Sequence, residues 1–435
     1  METGLLVPLV FALLFGALFL GAHLGLAMSG TAIFGTAMIV GPDAALSLAG
    51  ISVFESAQSF DLAVIPLFVL MGDFAARSGI SSDLYAAFNL WLRRYRAGLA
   101  HASISACAAF GAVCGSSLAT AATMGRVALP EMRRFGYSDR LATGAIAAGG
   151  TIGILIPPSV IMLIYGILTE TSIGDLFIAG IIPGLLLTLF FMITVLVVVR
   201  LDPSSAPRVS DEPGTGSDTG ILGKIWSTLV LFVLVIGGIY AGIFTPTEAA
   251  GIGAVGALAI GVAMRRLGLS DILHCLIDTV QTTAMIFLIL IGAILFSGFL
   301  SLSGTPALLG GWIVGLDLSP IMTVVLIIGI YILLGAFLDT MAMIILSIPI
   351  FFPIVSGMGL DPVWFGIIVV IAVELALITP PMGINVFVIR GLASDVSLAQ
   401  VFLGVLPFCG ALVALIALVV AVPEIVTVLP TLGRR

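Results

Sequence analysis

Long apolar runs alternate with short polar breaks from one end of this chain to the other. Stretches of about 20 apolar residues recur, enough at 1.5 Å rise per residue to cross a hydrocarbon core of roughly 30 Å. The polar segments between them are too short to form a soluble domain. The first run, METGLLVPLVFALLFGALFLGAHLGLAMSG, lacks a basic leading segment, carries Glu2 and continues into more apolar sequence, so it predicts a membrane helix and not a cleaved signal. One extended polar interruption, LDPSSAPRVSDEPGTGSDTG (201–220), is rich in Pro, Gly, Ser and acidic residues and predicts a solvated cytoplasmic linker over 201–222.

The linker separates two halves that repeat. Pro130 and Pro353, Gly136 and Gly359, and the pairs Pro157-Pro158 and Pro380-Pro381 keep one separation (380 − 157 = 223). After one inserted residue, Gly180 and Gly404, then Pro183 and Pro407, match at 224. A register held over roughly fifty residues points to the internal duplication on which transporter folds are built. Basic residues prefer the cytoplasmic side, and they flank 98–132 at both ends, with Arg93, Arg94 and Arg96 before it and Arg133, Arg134 and Arg140 after it. That stretch predicts a re-entrant helical hairpin turning in the small, polar segment GAVCGSSLATAATMG. Five crossings follow, near 141–170, 173–200, 223–245, 249–266 and 278–303, before the matching hairpin at 320–357. An odd count brings the second hairpin in from the opposite face, so the repeats are inverted; Arg434 and Arg435 fall outside in this count.

The predicted organisation is N-terminal scaffold helices over 1–97; a first transport repeat over 98–200, with hairpin 98–132 and broken helix 141–170; and the linker. Scaffold helices follow over 223–303, with an amphipathic stretch at 270–281 (SDILHCLIDTVQ) lying along the cytoplasmic surface as a brace. A second repeat spans 304–422, with hairpin 320–357 and broken helix 362–390, and 423–435 is a tail. The fold class is all-α polytopic membrane protein with inverted repeats, two re-entrant hairpins and two broken helices.

Composition agrees. The 435 residues are 60% hydrophobic and 9% charged, against about 25% charged in soluble domains, and the mean hydropathy is +1.29. The net charge of −7 is spread over many loops and says little about partners. No basic cluster is interleaved with aromatics, which argues against nucleic acid. Four cysteines (Cys107, Cys114, Cys275, Cys409) form no C-x-x-C pair and three histidines (His23, His101, His274) lie far apart, so neither a metal cluster nor a Cys/His nucleophile is indicated. Cys107 and Cys114 share a helical face and read as small packing residues. An enzyme is not expected, nor a purely structural scaffold, which has no use for helix breaks at repeated positions.

The candidate chemistry lies at those breaks. Consecutive prolines lack amide hydrogens and clash with the preceding turn, leaving carbonyls without partners. In hydrocarbon such groups persist only where they pack in protein or line a polar cavity. Freed carbonyls and half-helix ends ligate Na⁺, and half-helix N-termini favour carboxylates. The first half offers the tip Gly115, Ser116, Ser117 and Thr120 and the break containing Gly150, Thr151, Pro157, Pro158 and Ser159. The second half offers Gly335, Asp339 and Thr340, then Thr379, Pro380, Pro381, Gly383 and Asn385. Register sets Ser116 opposite Asp339 and Ser117 opposite Thr340, which predicts two pseudo-symmetric cation sites flanking one substrate cavity. Intramembrane Ser and Thr also bond their own backbone or join helices, so that reading stays open for Ser116, Ser117, Thr120 and Thr151. Asp339 is a functional candidate because an ionisable group inside a membrane segment is costly. Glu374 stays open between a functional role and a structural one, capping the second break or pairing with Arg390, and Glu131 and Arg126 read as structural.

The succession GSSLATAATMGRVALPEM, GGTIGILIPPS, GAFLDTMAMIILSIPIFFPI and ITPPMGINVFVI resembles the large membrane subunit of TRAP transporters, the tripartite ATP-independent periplasmic family, over nearly the whole chain. The resemblance implies an elevator-type, sodium-driven importer of organic acids in the bacterial inner membrane, working with a small four-helix membrane subunit and a periplasmic substrate-binding protein. It maps sodium ligation onto Ser116, Ser117, Thr151, Asp339, Thr340 and Thr379. Thr120 stands where many members carry an acidic residue. A self-sufficient cation-coupled dicarboxylate or citrate-type symporter is the alternative.

Overall fold

The structure, a computed structural model, describes residues 3–207, 222–305, 308, 311, 318–335 and 338–433. Among these it is helical and contains no strand. Six helices are long and apolar enough to cross a membrane, or up to seven if a bent pair counts as one span. Apolar residues supply the lengths, and small polar residues set the ends. Ser116, Ser138, Ser159, Ser172, Ser319, Asp339, Asp361 and Ser397 each occupy an N-cap position and accept a hydrogen bond from the backbone amide three residues on. Each such cap satisfies a donor that a helix start otherwise leaves bare.

The chain opens with α1 (Thr3–Phe19), α2 (Leu24–Val40) and α3 (Pro42–Gln58). The single helix expected over the first apolar run is therefore corrected to two. Gly21 takes φ +84°, a conformation side chains disfavour, and the chain reverses there so that α1 packs along α2. The next pair, α4 (Val64–Arg77) and α5 (Ile80–Leu92), meets at 61°. Arg266 fixes that bend from a distance, donating to the Asp83 carboxylate at 2.5 Å and to the Ser78 carbonyl at 3.1 Å.

The first repeat comprises α6 (Gly98–Cys114), α7 (Ser117–Arg134), α8 (Asp139–Leu155), α9 (Val160–Thr169) and α10 (Ile173–Leu201). The two ends of the α6–α7 hairpin meet, with the Leu99 amide donating to the Tyr137 hydroxyl at 3.2 Å. Of the linker, 208–221 lie outside the described residues. Then come α11 (Leu222–Phe232), which continues through a π-helical turn into α12 (Gly238–Tyr240), and α13 (Pro246–Ala263).

Next is α14 (Leu269–Leu302), 34 residues without interruption. The amphipathic stretch 270–281 forms the first third of this helix. No Gly or Pro falls between Leu269 and Ile291 to end it, and the Arg77–Asp278 ion pair at 2.8 Å ties it to α4. The second repeat comprises α15 (Pro320–Leu334), α16 (Thr340–Gly357), α17 (Pro362–Ala376), α18 (Ile384–Leu392) and α19 (Leu398–Ala421). A last helix, α20 (Glu424–Gly433), packs against α10 and α17, so 424–433 is ordered helix where a tail was expected.

The repeats match in register. α7 and α16 begin and end at one offset (340 − 117 = 223; 357 − 134 = 223). Both prolyl-proline bonds, Pro157-Pro158 and Pro380-Pro381, are cis. The capping residues Ser116 and Asp339 occupy matching positions, as do Ser138 and Asp361.

Packing falls into two groups. α8 is the hub of one, lying against α6, α7, α10, α17, α18 and α19; α2, α4, α13 and α14 form the other. Glycines set the closest crossings. A methyl group at Gly144 of α8 would stand 2.4 Å from backbone atoms of Gly404 in α19, and one at Gly404 would stand 2.2 Å from the Arg140 carbonyl oxygen.

Candidate functional site

Where the groups meet, both hairpin tips open onto a cavity of 390 Å³. The first tip brings Gly115, Ser116 and Ser117, and the second brings Asp339 and Thr340. α4 contributes Gly72 and Asp73, and α14 contributes Thr282, Met285 and Ile286. Its size falls in the range of small-molecule sites, roughly 300–1,000 Å³. A larger, more open depression of 760 Å³ lies between the α9–α10 turn and Tyr240. It holds no residue of either tip or either proline break, so the convergence of polar groups from both repeats marks the smaller cavity.

Local chemistry explains the tips. Gly115 ends α6 at φ +65° and presses on the first break, since a methyl group there would meet the Pro158 carbonyl oxygen at 2.6 Å. Only glycine permits that approach without strain. Ser116 and Asp339 are the N-caps of the returning arms, accepting from the Ala119 amide at 3.4 Å and the Ala342 amide at 2.8 Å. The first tip is largely buried, whereas Asp339 is exposed.

A second polar cluster joins the repeats behind the first tip. Asn385, fully buried on α18, donates through Nδ2 to Ser117 Oγ at 2.7 Å and to the Ala147 carbonyl at 3.2 Å. Its Oδ1, and Thr120 Oγ1 one turn beyond Ser117, are buried with no hydrogen-bond partner among the described residues. Buried oxygens of this kind normally find a donor or a cation. Replacing Asn385 by leucine is expected to lower stability by about 1–3 kcal/mol, because the groups it serves lose their partner in a dry site; thermal unfolding of the purified chain measures this.

Other sequence candidates stand apart from the cavity. Thr151 Oγ1 donates to the Ala148 carbonyl at 2.7 Å and Thr379 Oγ1 to the Leu375 carbonyl at 2.6 Å, each within its own helix. Ser159 caps α9 through the Met162 amide. Pro157 and Pro158 form the break between α8 and α9, and Pro380, Pro381 and Gly383 the break between α17 and α18. Gly150 packs against Ala121 of the first hairpin, and Gly335 against Ala376 beside the second break. The pairing considered for Glu374 and Arg390 does not form. Arg390 donates to the Ala393 carbonyl, whereas Glu374 is fully buried in the core. Glu131 instead approaches Arg134 at 3.8 Å.

Sequence reading passed over Asp73. It stands on α4 within VIPLFVLMGDFAAR, accepts from Thr279 Oγ1 at 3.1 Å and faces the cavity. The signal was available, because an acid inside an apolar run is the feature that singled out Asp339.

Comparison with known proteins places this geometry in a family. Residues 11–425 match the family described as "Tripartite ATP-independent periplasmic transporter, DctM component". The C4-dicarboxylate TRAP transporter large permease protein DctM of Pseudomonas aeruginosa is 38% identical over 397 residues, 91% of this chain and 92% of its own length. The sialic acid TRAP transporter large permease protein SiaM of Vibrio cholerae is 31% identical over 419 residues, covering 96% of each. The YdaH transporter of Alcanivorax borkumensis, whose crystal structure has an unusual topology, shares the fold with a TM-score of 0.65 at 16% identity, over 87% of this chain and 88% of that one. A duplicated all-helical membrane chain, with both hairpin tips on one cavity and a match over nearly its full length, belongs to the DctM component family of tripartite ATP-independent periplasmic transporters, whose relatives are large permease subunits.

Proposed function

We propose that the chain imports a carboxylate coupled to sodium, in a bacterial inner membrane, with a small four-helix membrane subunit and a periplasmic substrate-binding protein. The observation that carries this reading is the shared cavity, where Ser116 and Ser117 of one repeat meet Asp339 and Thr340 of the other. The hydroxyls and carboxylates that line it form an oxygen donor set suited to a hard cation. Behind the first tip, Thr120 Oγ1 and Asn385 Oδ1 are two further buried oxygens without a hydrogen-bond partner among the described residues. The printed substrates of the two relatives, C4-dicarboxylate and sialic acid, are both carboxylates. A bound sodium beside them offsets the anion's charge in a low-dielectric core.

The cavity wall suggests the movement. One side comes from the tips and the other from α4 and α14, so the α8-centred group would slide as a body against the second group and carry the site with it. Bilayer positioning and alternating access of this kind are common to transporters with inverted repeats.

The test is uptake into liposomes holding the purified chain with its co-expressed partners, under an inward sodium gradient or with choline in its place. Radiolabelled succinate and sialic acid serve as probes. Accumulation that needs sodium and the binding protein is expected. Accumulation equal in choline would refute the coupling, and accumulation without the binding protein would favour the self-sufficient symporter.

A further inference from the structure

Glu374 is the one charged residue on α17, PVWFGIIVVIAVELA, the helix whose residues Val363–Ala376 are all buried. It is 0% exposed, and neither carboxyl oxygen has a hydrogen-bond partner among the described residues. It lies beside the backbone of Leu155, at the mouth of the first break. Two residues on, Ala376 packs against Gly335 of the second hairpin. The repeat offset matches Glu374 with Thr151 (374 − 151 = 223), whose hydroxyl is satisfied by its own helix. An acid thus replaces a hydroxyl where the first break lies close to the second hairpin.

No group nearby neutralises it. The elements packed against α17 are α8, α9, α10, α15, α16, α19 and α20. Their ionisable residues are Asp139, Arg140, Tyr165, Asp175, Arg200, Tyr331, Cys409 and Glu424, with Asp339 capping α16 and Asp361 capping α17 itself. None of these bonds to Glu374. A carboxylate with no charged partner in such a site is far more costly than a neutral acid.

We propose that Glu374 is a proton-binding site of the transport core, holding its proton in this conformation and exchanging it by way of the second break. The route is short in sequence. Residues 374–378 are buried, while Pro380, Pro381 and Met382 are exposed. The proton keeps the centre of the α8-centred group neutral, apart from whatever charge the hairpin tips bind.

Infrared spectroscopy of the full chain in liposomes at neutral pH tests this without substrate or partner, so it can fail while the transport reading stands, and the reverse. A carboxylic-acid carbonyl band is expected. It should shift on carbon-13 labelling of glutamate, disappear in Glu374→Gln, and keep its intensity when choline replaces sodium. Glutamine mimics the neutral acid, so the variant should unfold at no lower temperature than the unsubstituted chain. If the variant does not fold, the labelled unsubstituted chain still decides, because Glu374 is the only fully buried glutamate among the described residues. Absence of a label-sensitive band, or a band that survives Glu374→Gln, overturns the proposal. So does a band seen only in choline, which would make the group a sodium ligand.

Discussion

Asp339→Asn is expected to lower uptake at limiting sodium by roughly tenfold or more, the loss produced by about 1.4 kcal/mol of weakened ion binding, with the fold unchanged. Asp339 has two separable jobs in the structure and the proposed mechanism. As the N-cap of α16 it accepts from the Ala342 amide at 2.8 Å, and asparagine caps a helix as well as aspartate. As a wall of the cavity it brings a negative charge to the second tip, and that alone is lost on substitution. Asp339→Ala removes the cap too and should cost a further ~1 kcal/mol of stability. Uptake in proteoliposomes against sodium concentration, with thermal unfolding on the same preparations, separates the two jobs. An Asn variant with the sodium dependence of the unsubstituted chain would exclude Asp339 from ion binding.

Gly404→Val is expected to prevent a well-packed core. The added side chain would begin 2.2 Å from the Arg140 carbonyl oxygen and 3.2 Å from the Gly144 Cα. Both neighbours are backbone of α8, so no rotamer change relieves the clash. Overpacking of this kind costs typically 1–3 kcal/mol, and more where backbone must move. α19 carries its own control. A methyl group at Gly410 meets nothing within 4 Å, so Gly410→Val should leave the unfolding temperature and the elution profile of the purified chain unchanged. Equal behaviour of the two variants would mean that α8 and α19 do not cross this closely.

The duplication and its breaks were legible because proline and glycine act on the chain locally. Pro157, Pro158, Pro380 and Pro381 interrupt helices whatever surrounds them, and matched spacing makes the repeat visible without any contact being known. The helix starts at Ser116 and Asp339 obey equally local capping rules. What escaped depends on packing between distant segments. The bend between α4 and α5 is held by Arg266, 188 residues from the Ser78 carbonyl it bonds. The bond from Asn385 to Ser117 spans 268 residues. Hydropathy marked 270–281 as amphipathic, and the structure shows it running on into the following span as one helix. The turn at Gly21 was hidden for another reason, because the residues on both sides of it are apolar.

The two proline breaks share one register and one prolyl geometry, yet they differ in surroundings. Residues 151–160 are buried throughout, whereas Pro380, Pro381 and Met382 reach the surface. A duplicated blueprint whose copies sit unequally describes an off-centre posture, and its mirror posture is written in the same letters. On the proposed mechanism the copies would trade roles, with the earlier doublet wet and the later one dry. A cysteine at Ser159 and another at Met382 should then answer a water-soluble thiol reagent in turn, never together.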